Sequence, residues 1–154
     1  MDLGDQVNSD LKKDFPLFIA VLNGSFMFAS DLIRRFHHPC EVTFIKLFSY
    51  AGIGRNQDVM ELIGLYENIA GRNVVILEDI VDSGNTLKKI VEILQEKKAQ
   101  SVRVASFLKK NKTSFFKGTI DYFGYPIDDK FVVGYGMDYN GLGRNLPHIY
   151  QLIK

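Results

Sequence analysis

Three carboxylates fall within five residues of the stretch VVILEDIVDSGNTLKKIVEIL (74–94): Glu78, Asp79 and Asp82. They follow an apolar run, where an ionised carboxylate is expensive unless it is solvated or paired with a cation. Directly after them, Ser83-Gly84-Asn85-Thr86 offers backbone N–H groups, two hydroxyls and a glycine that permits close approach. Leu87, Ile90, Val91 and Leu94 then keep helical spacing, so the turn lies at a helix N-terminus, whose partial positive charge favours an anion. The chemistry these residues suit is a phosphate held by the turn, with a cation held by the acids. The competing reading is a capped helix, with Asp82 or Ser83 as the N-cap. Capping accounts for those two residues and leaves Glu78-Asp79 without a reason. No G-x-x-x-x-G-K-[ST] pattern occurs, so this is not a P-loop.

Such a site needs elements that bring strand ends and helix starts together. LFIAVL (17–22), VTFIKLF (42–48), VVIL (74–77), SVRVASFL (101–108) and FVVGY (131–135) read as buried strands, apolar along their length. Leu3, Val7 and Leu11 form one helical stripe, and Phe26, Ala29, Leu32 and Ile33 another. Strands alternating with helices imply βαβ units: an α/β fold with a mainly parallel twisted sheet flanked by helices. In such sheets ligands gather at the carboxyl ends of the strands, where Glu78, Asp79 and Asp82 stand. At 154 residues with 46% hydrophobic and 24% charged residues, one globular domain is expected over 1–154. A net charge of +1, from 19 basic and 18 acidic residues, gives no reason to expect a nucleic acid held by bulk electrostatics. No apolar run approaches the ~18 residues of a membrane span. The single cysteine, Cys40, fits a reducing, cytoplasmic setting. His37, His38 and His148 show no zinc-ligand spacing with it.

VVILEDIVDSGNTL resembles the phosphoribosyl-pyrophosphate motif of type I phosphoribosyltransferases, and its Glu-Asp pair with DSGNT resembles most the hypoxanthine(-guanine) branch. Three further segments fit that branch in order: VLNGSFMFASDL (21–32), FSYAG (48–52) and DKFVVGYGMDYN…RNLPHI (129–149). The resemblance implies the type I phosphoribosyltransferase fold with a small hood, and transfer of a phosphoribosyl group to hypoxanthine or guanine. The products would be IMP or GMP and pyrophosphate.

The same resemblance implies roles for individual residues. Ser83, Gly84, Asn85 and Thr86 would hold the 5′-phosphate. Glu78 and Asp79 would face the ribose hydroxyls and Mg²⁺, with Asp138 at a second metal-linked position; Mg²⁺ suits carboxylates and phosphate oxygens and keeps several waters. Taken alone, Asp138 reads better as a turn aspartate before Asn140-Gly141; the surrounding FVVGYGMDYN reverses that reading. Asp82 would be catalytic, taking or sharing the proton of the purine N7 beside an oxocarbenium-like sugar. Lys110 would donate to the exocyclic oxygen of a 6-oxopurine, which an adenine amino group could not accept. Phe131 would stack on the base and Val132 would meet its edge through the backbone. Leu22, Asn23 and Gly24 would offer N–H groups to pyrophosphate across a non-proline cis peptide, and Arg144 would add a bidentate phosphate contact. Ser49 and Tyr50 would close over the reaction and exclude water.

The chain departs from the family pattern in places. Asn23 stands where a lysine or arginine is common, Phe48 where a serine is frequent, and the N-terminal part of the hood is expected to be shortened. The family further implies a homodimer or homotetramer. Two alternatives stand beside this reading: an RNA-binding regulator with the same fold, whose members tend to carry Asp-Asp where this chain has Glu78-Asp79, and a xanthine-preferring phosphoribosyltransferase.

Overall fold

The computed structural model describes residues 2–51, 58–111 and 117–153, apart from the side chains of 49–51 and 58–61. The chain runs α1 (Leu3–Leu11), β1 (Leu17–Val21), α2 (Phe26–Arg34), β2 (Glu41–Ala51), β3 (Asp58–Ile63), β4 (Asn73–Val81), α3 (Asn85–Glu96), β5 (Ser101–Lys110), β6 (Tyr122–Ile127), β7 (Val132–Val133) and β8 (Tyr150–Gln151). A six-stranded sheet has the order β3-β2-β1-β4-β5-β6, parallel throughout except for the antiparallel β2–β3 edge.

The continuous apolar strands are explained by helices on both faces. Phe18, Ala20, Val75, Leu77 and Ala105 point to one side, where they pack with Val7 and Leu11 of α1 and Phe28, Ala29 and Leu32 of α2. Their neighbours Leu17, Ile19, Val74, Ile76 and Val104 point the other way, against Leu87, Ile90 and Leu94 of α3. Alternate residues thus serve two cores, which leaves no polar face to alternate with. Asp2 caps α1 by accepting a hydrogen bond from the Asp5 N–H (3.1 Å).

Three elements differ from the sequence expectation. Strand β6, YFGYPI, carries Gly124 and Pro126, which disguise it; at the sheet's edge the missing N–H of a proline costs little. Strand β3 forms the opposite edge and also carried no clear signal. The expected strand at 131–135 shrinks to the two residues of β7, which leave the main sheet and pair with β8. Positive φ at Gly134 (100°), Tyr135 (50°) and Gly136 (97°) ends the extended run and folds the chain back toward the ends of β1 and β4.

Candidate functional site

The site is built where β4 and β5 end side by side. The parallel register that sets Glu78 beside Ser106 and Val81 beside Lys109 carries on to set Asp82 beside Lys110. Lys110 Nζ donates to Asp82 Oδ2 (3.0 Å) and to Asp129 Oδ1 (2.9 Å). The lysine side chain is only 11% exposed, whereas Asp82 and Asp129 are 63% and 81% exposed. Burial alone would lower the Lys110 pKa, but the hydrogen bonds to Asp129 and Asp82 outweigh it and raise the value, so the ammonium stays charged.

Glu78 lies deeper, 7% exposed at the end of β4. Burial, and then the neighbouring Asp79 carboxylate, push its pKa well above the usual range. Burial also raises Asp79, opposed by the Ile80 N–H that donates to its Oδ1 (2.8 Å). Among the described residues neither acid forms a salt bridge within 4.0 Å. A buried acid beside a half-buried one, neither in a salt bridge, is what a divalent cation would satisfy. No group of three His, Cys, Asp or Glu side chains among the described residues could cage a metal. The donor set therefore fits a hard cation that completes its shell with waters and substrate oxygens rather than a structural metal.

The DSGNT turn closes this end. Gly84 caps α3 in the left-handed conformation (φ 79°) and no side chain caps the helix, so neither Asp82 nor Ser83 plays that part. Ser83 Oγ accepts only a long bond from the Asn85 N–H (3.4 Å). Residues 78–87 line a hollow of about 210 Å³ at the N-terminus of α3, where the sequence reading expects an anion pocket.

Beside it, a hollow of about 260 Å³ is lined by Asp79, Asp82, Lys110, Phe131, Val132 and Asp138 among others. Phe131 is 50% exposed and meets Tyr139 edge-on (centroids 5.7 Å apart), leaving its ring available to a flat ligand. Asp138 is a turn aspartate that also lines the hollow. Its Oδ2 accepts from the Gly141 N–H (2.7 Å), as a turn aspartate does, while it lines the hollow with Asp79. Its Oδ1 pairs with Arg144 Nη2 (2.6 Å), and Arg144 Nη1 donates to the Gly136 carbonyl (2.8 Å). Arg144 thus directs two of its five N–H donors to its own loop, which fixes the guanidinium beside Asp138 and leaves the others for a phosphate.

The loop after β1 packs directly into the acids. The Leu22–Asn23 peptide is cis, as the resemblance implies. A Cβ on Gly24 would sit 1.7 Å from Asp79 Oδ2, and one on Gly136 would sit 2.1 Å from the Gly24 carbonyl oxygen. Bare glycine at both positions is what lets three loops stack here. The Ser49 and Tyr50 backbones pair with β3, but their side chains and residues 52–57 lie outside what the structure describes, and with them the expected lid. Asp129 is the site residue the sequence did not single out. Its signal lay in β6, because Lys110 pairs with Ile127 in register, two residues before Asp129.

No helix among the described residues is long and apolar enough to cross a membrane. The family model of the phosphoribosyl transferase domain matches residues 1–140. The hypoxanthine phosphoribosyltransferase of Escherichia coli (strain K12) is 39% identical, across 99% of this chain and 87% of its own length. A crystal structure of a hypoxanthine phosphoribosyltransferase from Staphylococcus aureus superposes with a TM-score of 0.89 at 37% identity, covering 98% of this chain and 83% of that one. The enzyme of the same name from Trypanosoma cruzi, a point mutant complexed with the product IMP, gives a TM-score of 0.85 at 31% identity over 98% and 82% of the two chains. The ordered motifs, the sheet that brings them to one edge and these likenesses agree: the chain belongs to the phosphoribosyl transferase family, among the hypoxanthine(-guanine) phosphoribosyltransferases.

Proposed function

We propose that the chain joins hypoxanthine, and guanine, to phosphoribosyl pyrophosphate, giving IMP or GMP and pyrophosphate in purine salvage. The observation that carries this reading is the meeting of Asp82, Lys110 and Phe131 around one hollow that shares its wall with the DSGNT pocket.

The DSGNT amides and hydroxyls hold the 5′-phosphate at the start of α3. Glu78 and Asp79 face the ribose hydroxyls and, with Asp138 through its remaining lone pairs, are the carboxylates that would hold Mg²⁺. When bound, that ion neutralises pyrophosphate charge and eases its departure. Phe131 stacks on the purine and Val132 reads its edge. Lys110 donates to the 6-oxo group, and Asp82 accepts the N7 proton. As the other imidazole nitrogen bonds to the anomeric carbon, the carbon–oxygen bond to pyrophosphate breaks and pyrophosphate leaves with the electron pair. Backbone N–H groups of Asn23 and Gly24, with the remaining donors of Arg144, receive the leaving group; the Leu22 N–H, which the resemblance adds to them, is held by the Ile45 carbonyl (2.8 Å). Ser49 and Tyr50 keep water from the sugar cation. The setting is cytoplasmic, supported by the lone Cys40, and the assembly a homodimer or homotetramer, supported by the exposed Val42, Phe44, Phe48 and Ile63 on the β2–β3 edge.

The test is pyrophosphate release from phosphoribosyl pyrophosphate with hypoxanthine, guanine, xanthine, adenine or uracil. Turnover with hypoxanthine and guanine that stops on chelation of Mg²⁺ is expected. Silence with both, while adenine or uracil reacts, overturns the reading.

A further inference from the structure

We propose that Asp129 is a positioning residue for Lys110, holding the ammonium between base and catalytic acid so that Asp82 stays free to accept a proton. The inference rests on the reading above, in which Lys110 meets the 6-oxo group and Asp82 the purine N7.

A lysine ammonium has three N–H donors and no acceptor. Two are directed in this structure, to Asp82 Oδ2 at 3.0 Å and to Asp129 Oδ1 at 2.9 Å. One remains for a 6-oxo group entering the hollow. Were Asp82 the only carboxylate in reach, the ammonium would settle against it, away from the 6-oxo position and over the oxygens that meet the purine N7. The second carboxylate shares the lysine. Of the charged groups around the pair, Asp79, Asp138 and Lys130 also line the hollow, yet only Asp82 and Asp129 pair with Lys110 among the described residues.

Asp129 is fixed where this sharing needs it. Strand β6 ends at Ile127, in register with Lys110, and the Ile127 carbonyl accepts from the Asn111 N–H (3.0 Å). Asn111 Nδ2 donates to Asp128 Oδ1 (3.1 Å), and the Lys130 N–H closes the turn onto the Asp128 carbonyl (2.7 Å). The turn that carries Asp129 is therefore tied to the residue following Lys110. The same turn leads into Phe131, so the stacking ring and the lysine's second anchor come from one short segment.

The experiment compares the full-length wild type with Asp129→Asn and Asp129→Glu, both at an exposed position that folding tolerates. KM is measured separately for hypoxanthine and for phosphoribosyl pyrophosphate. Asp129→Asn is expected to raise KM for hypoxanthine about tenfold, leave KM for phosphoribosyl pyrophosphate within about twofold and keep the melting temperature, with Asp129→Glu recovering most of the loss. An unchanged hypoxanthine KM, an equal rise in both constants, or no recovery with glutamate overturns the role of Asp129. A wild type that does not turn over hypoxanthine overturns the underlying reading instead.

Discussion

At the scale of single residues, the site is a set of carboxylates in different surroundings. Glu78 is buried and Asp79 half-buried, and both are raised, whereas Asp82 stands largely in solvent, paired with a charged lysine. The first two suit a cation and the exposed one suits proton transfer, so burial separates two roles that sequence alone places side by side. Asp82→Asn keeps the shape and the hydrogen bond to Lys110 but removes the proton acceptor. Turnover is expected to fall by about 10²–10⁴, the usual worth of general acid–base catalysis, with little change in affinity for phosphoribosyl pyrophosphate. Stopped-assay kcat beside a binding isotherm separates the two, and an unaltered kcat would remove Asp82 from the chemistry.

At the scale of elements, the site depends on register and on close loop packing, and these were unequally legible. The β4 run, its acids and the α3 stripe could be read directly because one continuous stretch carries all three. Pairing Asp82 with Lys110 needed the β4–β5 register, and finding Asp129 needed β6, whose Gly124 and Pro126 hide it from any strand pattern. The apolar FVVGY promised a long strand, but propensity lost to backbone turns at Gly134, Tyr135 and Gly136 that carry Met137 and Asp138 to the hollow. The contact of Gly24 with Asp79 was invisible in sequence, since nothing in NGS says what lies above the glycine. It has a consequence for binding. In Gly24→Ala the new Cβ meets Asp79 Oδ2 at 1.7 Å and Cγ at 2.5 Å, so the carboxylate must swing or the loop must lift. A cost of about 1–3 kcal/mol in stability is expected for overpacking, together with an increase of about tenfold or more in KM for phosphoribosyl pyrophosphate. A variant with wild-type KM would show that this packing does not position Asp79.

At the scale of the whole molecule, the free protein carries a stability cost for its own site. Glu78 titrates near 4.3 when unfolded, and in the fold its pKa is raised by burial and by Asp79; Asp79 is raised too. Between the unfolded and folded values the native state binds more protons than the unfolded one, so stability falls as pH rises through that window. The contribution is fully present below the unfolded pKa and lost above the folded one. Around neutral pH the sheet therefore buries acids that favour unfolding until a cation and substrate arrive, a common exchange of stability for function. Glu78→Gln keeps the shape without the charge. Thermal melts of the free protein from pH 5 to pH 8 are expected to show a smaller decline for this variant than for the wild type. At the upper end its Tm is expected to be higher, by roughly 2–4 °C per kcal/mol recovered in a domain of this size. Added Mg²⁺ and phosphoribosyl pyrophosphate would then raise the wild-type Tm more than the variant's, because only the wild type has the second buried charge to compensate. Identical pH slopes in the two proteins would mean that Glu78 is not where the fold pays for the site.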